Sequence, residues 1–184
     1  SAIGGLPERS VRELVEAVHS PEHPVFVANL NAADQFVIAG SDEAMRRVLE
    51  LAREKGATGT DRLAVAVPSH CTLLGEASRI LAGAFHDIRL RRPSIAYLSG
   101  STGRVLWQPE HIADDLAFNM ARPLHWADAM TAAYERGVRL AVEMPPGSVL
   151  TGLAKRIMEQ GEAIACQQQP LQTVLELVRR LKTG

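Results

Sequence analysis

The first 67 residues alternate between two hydrophobic periods in a set order, and that order limits the available folds more than any other feature of the chain. Residues 1–4 read as part of a strand. A helix opens near Pro7, a favourable first-turn residue, with Glu8 beside it complementing the helix dipole. Val11, Leu14, Val15 and Val18 then keep the i, i+3, i+4, i+7 spacing of a helix with one apolar face. Residues 25–30 and 35–39 are short β-branched and apolar runs, separated by Asn31-Ala32-Ala33-Asp34 as a hairpin turn. A second helix takes Ser41 as its N-cap, Asp42 and Glu43 in its first turn and Gly56 as its stop. Val48, Leu49 and Ala52 give it a core face, and Leu63, Val65 and Val67 supply a fourth strand. The resulting βαββαβ order is that of a ferredoxin-like, split-βαβ unit.

The apolar run 63–67 stops at Pro68, and a helical pattern restarts a few residues later. His70 therefore stands at the tip of a strand-to-helix corner. Beyond it the rhythm changes to longer helices and isolated strands. Residues 73–85 read as helical, 94–98 as a short strand and Gly100-Ser101-Thr102-Gly103 as a turn. Two helices follow, Pro109 to about Asn119 and Pro123 to about Arg136, each with proline in its first turn; Gly137 ends the second. Residues 138–144 form a buried strand that Pro145-Pro146-Gly147 turns into a helix with Val149, Leu150, Leu153 and Ile157 inward. A strand at 164–166 and an amphipathic helix through Leu171, Val174, Leu175, Val178 and Leu181 complete a pattern that reads as the end of an α/β layer.

A formal charge of −1 gives no broad field to recruit nucleic acid or an anionic membrane, and 4% aromatic content leaves little for base stacking. Cys71 and Cys166 have neither metal-ligand spacing nor a disulfide framework, which fits a reducing, cytoplasmic setting. No apolar segment approaches the roughly 18–20 residues that span a bilayer, and no signal-peptide pattern is visible. Ser1-Ala2-Ile3-Gly4 lacks an initiator Met and reads as the middle of a strand, so the expectation is a longer protein whose first part lies before Ser1.

His70 is the leading candidate for chemistry. It reads as a general base, a metal ligand or a structural histidine; the absence of ligand-spaced neighbours makes metal the weakest of the three. A base needs a nucleophile, and the residues offer none. Cys71 is adjacent in sequence, but neighbours point their side chains apart, so a buried structural cysteine is the better reading. Asn29, Asn31 and Gln35 are either turn chemistry or amides lining a cleft. Asn119 is either a helix C-cap or a carbonyl that orients a catalytic imidazole. Glu143 closes a strand before a tight turn, and His125 and Trp126 read as packing residues.

Four ordered motifs are more specific together than any one alone. They are Ala28-Asn29-Leu30-Asn31 with Gln35-Phe36-Val37-Ile38-Ala39-Gly40, then Val67-Pro68-Ser69-His70-Cys71, then Pro123-Leu124-His125-Trp126, then Pro146-Gly147-Ser148-Val149-Leu150-Thr151-Gly152-Leu153. In this order they resemble the malonyl-CoA:acyl-carrier-protein transacylase family. The segments Asp114-Asp115-Leu116-Ala117-Phe118-Asn119 to Trp126 and Glu143-Met144-Pro145-Pro146-Gly147 look more like the epsilon subunit of malonate decarboxylase than like the fatty-acid-synthesis enzyme.

The resemblance implies an α/β fold. Residues 1–67 would be the ferredoxin-like small subdomain, and residues 68–184 the C-terminal part of an α/β-hydrolase-like acyltransferase subdomain. It implies His70 as the catalytic histidine and Asn119 as the residue whose main-chain carbonyl holds the imidazole. Asn29, Asn31 and Gln35 would border the cleft, and Ser69 would sit against the acyl pocket. No metal and no bound cofactor is implied; the substrates are a CoA thioester, malonyl-CoA, and a phosphopantetheine-type carrier thiol. Acyl carrier protein and other malonate decarboxylase subunits are the implied partners. The family's G-H-S-x-G nucleophile elbow and its carboxylate-binding arginine helix do not occur in these residues and would precede Ser1, so the printed chain is expected to be inactive alone. The rival reading is a non-catalytic ferredoxin-like interaction module, which needs no nucleophile.

Overall fold

A helix, two paired strands and a second helix arise where the two periods predict them. The computed structural model describes residues 1–182, with side chains to residue 180. The chain divides into two units, Ser1–Ala127 and a second from Asp128 onward. The first opens with β1 (Ala2–Gly4), α1 (Glu8–Val18), β2 (Val25–Ala32), β3 (Gln35–Gly40), α2 (Asp42–Glu54) and β4 (Gly59–Asp61). Val11, Leu14, Val15 and Val18 of α1 are all buried, as are Val48, Leu49 and Ala52 of α2. The Ser41 hydroxyl accepts from the Ala44 amide at 3.3 Å, which starts α2, and Gly56 ends it at φ +89°.

The four strands form one antiparallel sheet in the order β2-β3-β1-β4. One core combines Ile3 of β1, Phe36 and Ile38 of β3, Val25 of β2, Val11 of α1 and Val48 of α2. The register of β2 against β3 shifts between Val27 and Asn29 and again between Leu30 and Ala32. These bulges re-aim the polar residues of the strand. Strand pairing continues to Ala32 and resumes at Gln35, so the hairpin turn is shorter than the sequence suggests.

β3 meets β2 closely at Gly40. A Cβ there would lie 2.2 Å from the Pro24 carbonyl oxygen and 2.6 Å from the Val25 Cα, and that same carbonyl accepts from the Ser41 amide at 2.8 Å. Backbone on both sides cannot yield as a side-chain tip can. Gly40→Ala is expected to destabilise the unit by about 1–3 kcal/mol. The readout is a lower urea midpoint with an unchanged slope; a midpoint equal to wild type would refute the contact.

The expected strand through Leu63, Val65 and Val67 is not observed. β4 is the earlier segment Gly59–Asp61, and the three apolar side chains are exposed. The ladder of β1 against β4 ends with Ala2 opposite Asp61. Ser1 is engaged with β3 instead: its amino group and its carbonyl both bond Ile38 at 2.8 Å. Residues 62–68 lie beyond that ladder and are not in a strand.

The rest of the first unit comprises a 3-10 turn at Thr72–Leu74, α3 (Gly75–Phe85), a hairpin of β5 (Tyr97–Leu98) and β6 (Val105–Leu106), and α4 (Pro109–Phe118). The strand expected over 94–98 shrinks to its last two residues, and its partner β6 was not foreseen. α5 is Trp126–Glu135, so the helix expected from Pro123 starts three residues late. Leu124 explains this: its amide donates to the Ala28 carbonyl and its carbonyl accepts from the Leu30 amide, both at 2.8 Å. It adds an extended rung to the free edge of β2, and a residue in such a ladder cannot also be helical.

In the second unit β7 (Leu140–Glu143) runs parallel to β8 (Glu162–Ala165), with α6 (Val149–Lys155) between them and α7 (Leu171–Lys182) after. Of the positions expected inward on α6, Leu153 is buried, whereas Val149 and Leu150 are exposed and Ile157 is half-buried. Thr151, Ala154 and Met158 take the inner face instead, and Ala154 and Met158 pack with Ala163. On α7, Val174 is buried, and Leu171 and Leu175 are exposed. The side chain of Leu181 lies outside the described residues. No described helix is long and apolar enough to cross a membrane.

Candidate active site

The corner after Pro68 places His70 in an unusual backbone state. Its φ of 62° makes it the one described non-glycine residue in the left-handed region. Such a conformation persists only where the surroundings fix it. Here the His70 amide donates to the Met120 carbonyl at 2.7 Å, and imidazole Nδ1 lies 3.0 Å from the Asn119 carbonyl oxygen. Both acceptors belong to the 3-10 turn Asn119–Ala121 that follows α4. A carbonyl only accepts, so this hydrogen bond puts a proton on Nδ1, and in the neutral imidazole it selects the tautomer whose lone pair is on Nε2.

Asn119 is itself held. Its amide bonds back to the Asp115 carbonyl, and its side-chain Nδ2 donates to the Ser101 hydroxyl at 3.3 Å. The Asn119 carbonyl also receives the Arg122 amide at 3.3 Å.

His70 opens onto a cavity of about 530 Å³ lined by Asn29, Val37, Arg62, Val65, Ser69 and other residues of the first unit. The 62–68 segment that fails to form a strand is one wall of it. Asn29 and Ser69 therefore share a space with the imidazole. Asn31 and Gln35 do not: both are half-buried in the β2–β3 hairpin, away from that lining. A second groove of about 480 Å³ is also lined by His70, with Cys71, Phe26 and Pro123.

Cys71 is buried, and its thiol donates to the Pro68 carbonyl at 3.1 Å. Burial pushes the thiol above its ordinary pKa, which makes thiolate chemistry less accessible there. Among the described residues no group of three or more His, Cys, Asp or Glu side chains could hold a metal ion. In the second unit Glu143 accepts from the Thr151 amide and hydroxyl at 2.6 Å each and from the Leu150 amide at 3.1 Å. It fastens the end of β7 to the start of α6, a structural task.

Sequence reasoning missed the anchor behind Asn119. Asp115 is 2% exposed and accepts from the Tyr97 and Ser99 hydroxyls at 2.7 Å each. Its only signal in sequence is a carboxylate three residues after Ile112, on the buried side of α4.

No family model matches the chain. It is 32% identical over 164 residues to a malonyl CoA-acyl carrier protein transacylase of Haemophilus influenzae, covering 89% of this chain and 52% of that relative. An acyl-carrier-protein-S-malonyltransferase from Bartonella henselae superposes with a TM-score of 0.87 at 28% identity, covering 98% of this chain and 57% of that one. A malonyl-transacylase solved with its type II PKS acyl-carrier protein matches with a TM-score of 0.82 at 32% identity, over 89% of this chain and 53% of that one. In sequence and in its mixed α/β fold the chain is thus similar to malonyl CoA-acyl carrier protein transacylases, and it spans about half the length of the curated relatives it matches.

Proposed function

We propose that the complete protein moves a malonyl group from malonyl-CoA to the thiol of an acyl carrier protein, with His70 as general base. The observation that carries this is the Nδ1 hydrogen bond to Asn119, which in the neutral imidazole selects the tautomer with Nε2 as acceptor on a residue that lines a cavity. A serine in the region of the complete protein that bears the nucleophile elbow gives its proton to Nε2 and attacks the thioester carbonyl. The carbon–sulfur bond breaks, and the CoA thiol leaves with that proton. The carrier thiol then attacks the malonyl-serine ester, again losing its proton to His70, and the serine hydroxyl is restored. In this reading Asn29 and Ser69, which line the cavity, contact the acyl substrate, and Asn31 and Gln35, outside that lining, border the approach from the hairpin.

In the same reading residues 1–67 form a ferredoxin-like small subdomain, supported by the antiparallel β2-β3-β1-β4 order. Residues 68–184 form the C-terminal portion of the acyltransferase subdomain. The finer assignment is the epsilon subunit of malonate decarboxylase, resting on residues 114–126 and 143–147. The names of the relatives favour a second reading, a transacylase serving a free carrier protein.

Malonyl transfer by the complete protein, offered labelled malonyl-CoA with either a free acyl carrier protein or the decarboxylase carrier subunit, tests the reading. Transfer to the latter alone supports the epsilon assignment, and transfer to neither overturns the transferase. The 184-residue chain, which contains no G-x-S-x-G sequence, is expected to gain no malonyl mass when mixed with malonyl-CoA. An adduct seen by intact-mass spectrometry would mean that one of its own side chains is the nucleophile.

A further inference from the structure

We infer that Asp115 is a positioning residue for His70: its buried carboxylate anchors Tyr97 and Ser99 and so fixes the turn that holds Asn119 under the imidazole. The inference rests on the reading of His70 as the base.

The anchor is a closed set of hydrogen bonds. Ser99 is fully buried; its hydroxyl donates to Asp115 at 2.7 Å and accepts from the Thr102 amide at 3.1 Å. The main chain of Ser99 closes the same turn, donating to the Arg104 carbonyl at 2.9 Å and accepting from the Gly103 amide at 3.0 Å. Tyr97 donates to the other carboxylate oxygen at 2.7 Å. Burial and the neighbouring carboxylate raise the Tyr97 phenol above its ordinary pKa, so it stays a donor. Both oxygens of Asp115 are therefore engaged on one short hairpin, and a buried charge so satisfied is a rigid joint.

The hairpin turn then meets the Asn119 segment at several points. Ser101 accepts from the Asn119 side chain, and the Gly100 carbonyl accepts from the His125 amide at 2.7 Å. A Cβ on Gly100 would stand 3.4 Å from Asn119 Nδ2 and 2.7 Å from Leu124 Cδ1, so the two segments approach closely and a side chain there would push the Leu124 tip aside. Asp115 also holds Asn119 directly, through its main-chain carbonyl. Side chain and main chain of one residue thus set both supports of the carbonyl that receives Nδ1–H. Loss of the carboxylate frees the 99–103 turn, lets Asn119 shift and releases the imidazole to exchange its proton between nitrogens.

The test reads the tautomer directly. The six histidines are labelled with nitrogen-15, and His70 is assigned by its loss in His70→Gln. Wild type is expected to show a protonated Nδ1 and an unprotonated Nε2. In Asp115→Asn the two nitrogen shifts of His70 should converge toward an exchanging mixture. Glu110→Gln, an exposed change on the same helix, should leave them as in wild type. Ser99→Ala and Tyr97→Phe each remove one donor, and the same convergence is expected if Asp115→Asn fails to give a cooperative melt. Folded variants with wild-type shifts overturn the positioning role and leave the base reading intact. A wild-type His70 protonated on Nε2 overturns the base reading, and the inference with it.

Discussion

His70→Ala in the complete protein is expected to lower kcat for malonyl transfer by at least about 10²–10⁴-fold, the usual worth of general-base help. The magnitude follows from what the imidazole does in both half-reactions. In the proposed mechanism it removes a proton from serine and then from the carrier thiol, so neither half-reaction would escape its loss. The Asn119 carbonyl adds selectivity by holding the tautomer in which Nε2 can accept. Alanine also disturbs the backbone, because position 70 has a φ of 62°, which Asn tolerates better than alanine does. His70→Asn keeps the corner and still lacks the base, so it should be as inactive as alanine while melting closer to wild type. A variant that retains near-full malonyl transfer would refute the assignment, and a loss confined to His70→Ala would trace it to the corner's conformation. Steady-state kinetics with both variants separates the two.

The legible parts of this chain are those encoded locally. Val11, Leu14, Val15 and Val18 fix the buried face of α1 by spacing alone, and Ser41 and Gly56 mark the ends of α2 through chemistry contained within a turn. Errors begin where a distant partner decides. Leu63, Val65 and Val67 have a strand's composition, but the β1–β4 ladder ends at Asp61 and the three side chains are exposed. Pro123 is suited to a helix start, yet the hydrogen bonds of Leu124 to β2 hold the chain extended. The site shows the same divide. The corner made His70 a candidate, whereas its pairing with Asn119 spans 49 positions and no local pattern predicts it. That link came from the ordered motifs, and Ser99 with Asp115 had neither a motif nor a shared period to reveal them.

Phe36→Ala is expected to destabilise the first unit by about 3–5 kcal/mol, as large-to-small changes at buried aromatics do. Phe36 is 1% exposed and is the second residue of β3, opposite Leu30 on one side and Ile3 on the other. Its ring fills the space that the strands share with α1 and α2, and neither bulged β2 nor three-residue β1 offers a side chain able to refill it. Phe36→Leu keeps most of the volume and should lose about 1.5 kcal/mol or less. A thermal melt distinguishes them: a shift of about 2–4 °C per kcal/mol places the alanine variant well below the leucine one. The two variants together also test how the core reaches the site. β3 supports β2, and β2 holds Leu124, five residues after the carbonyl that receives His70. If the core acts only by keeping this ladder folded, both variants of the complete protein should have wild-type kcat per folded molecule at low temperature, and the alanine variant should lose activity earlier on warming. Equal melting temperatures for the two variants would mean that the space around Phe36 collapses freely, contrary to a sheet held on both sides by fixed registers.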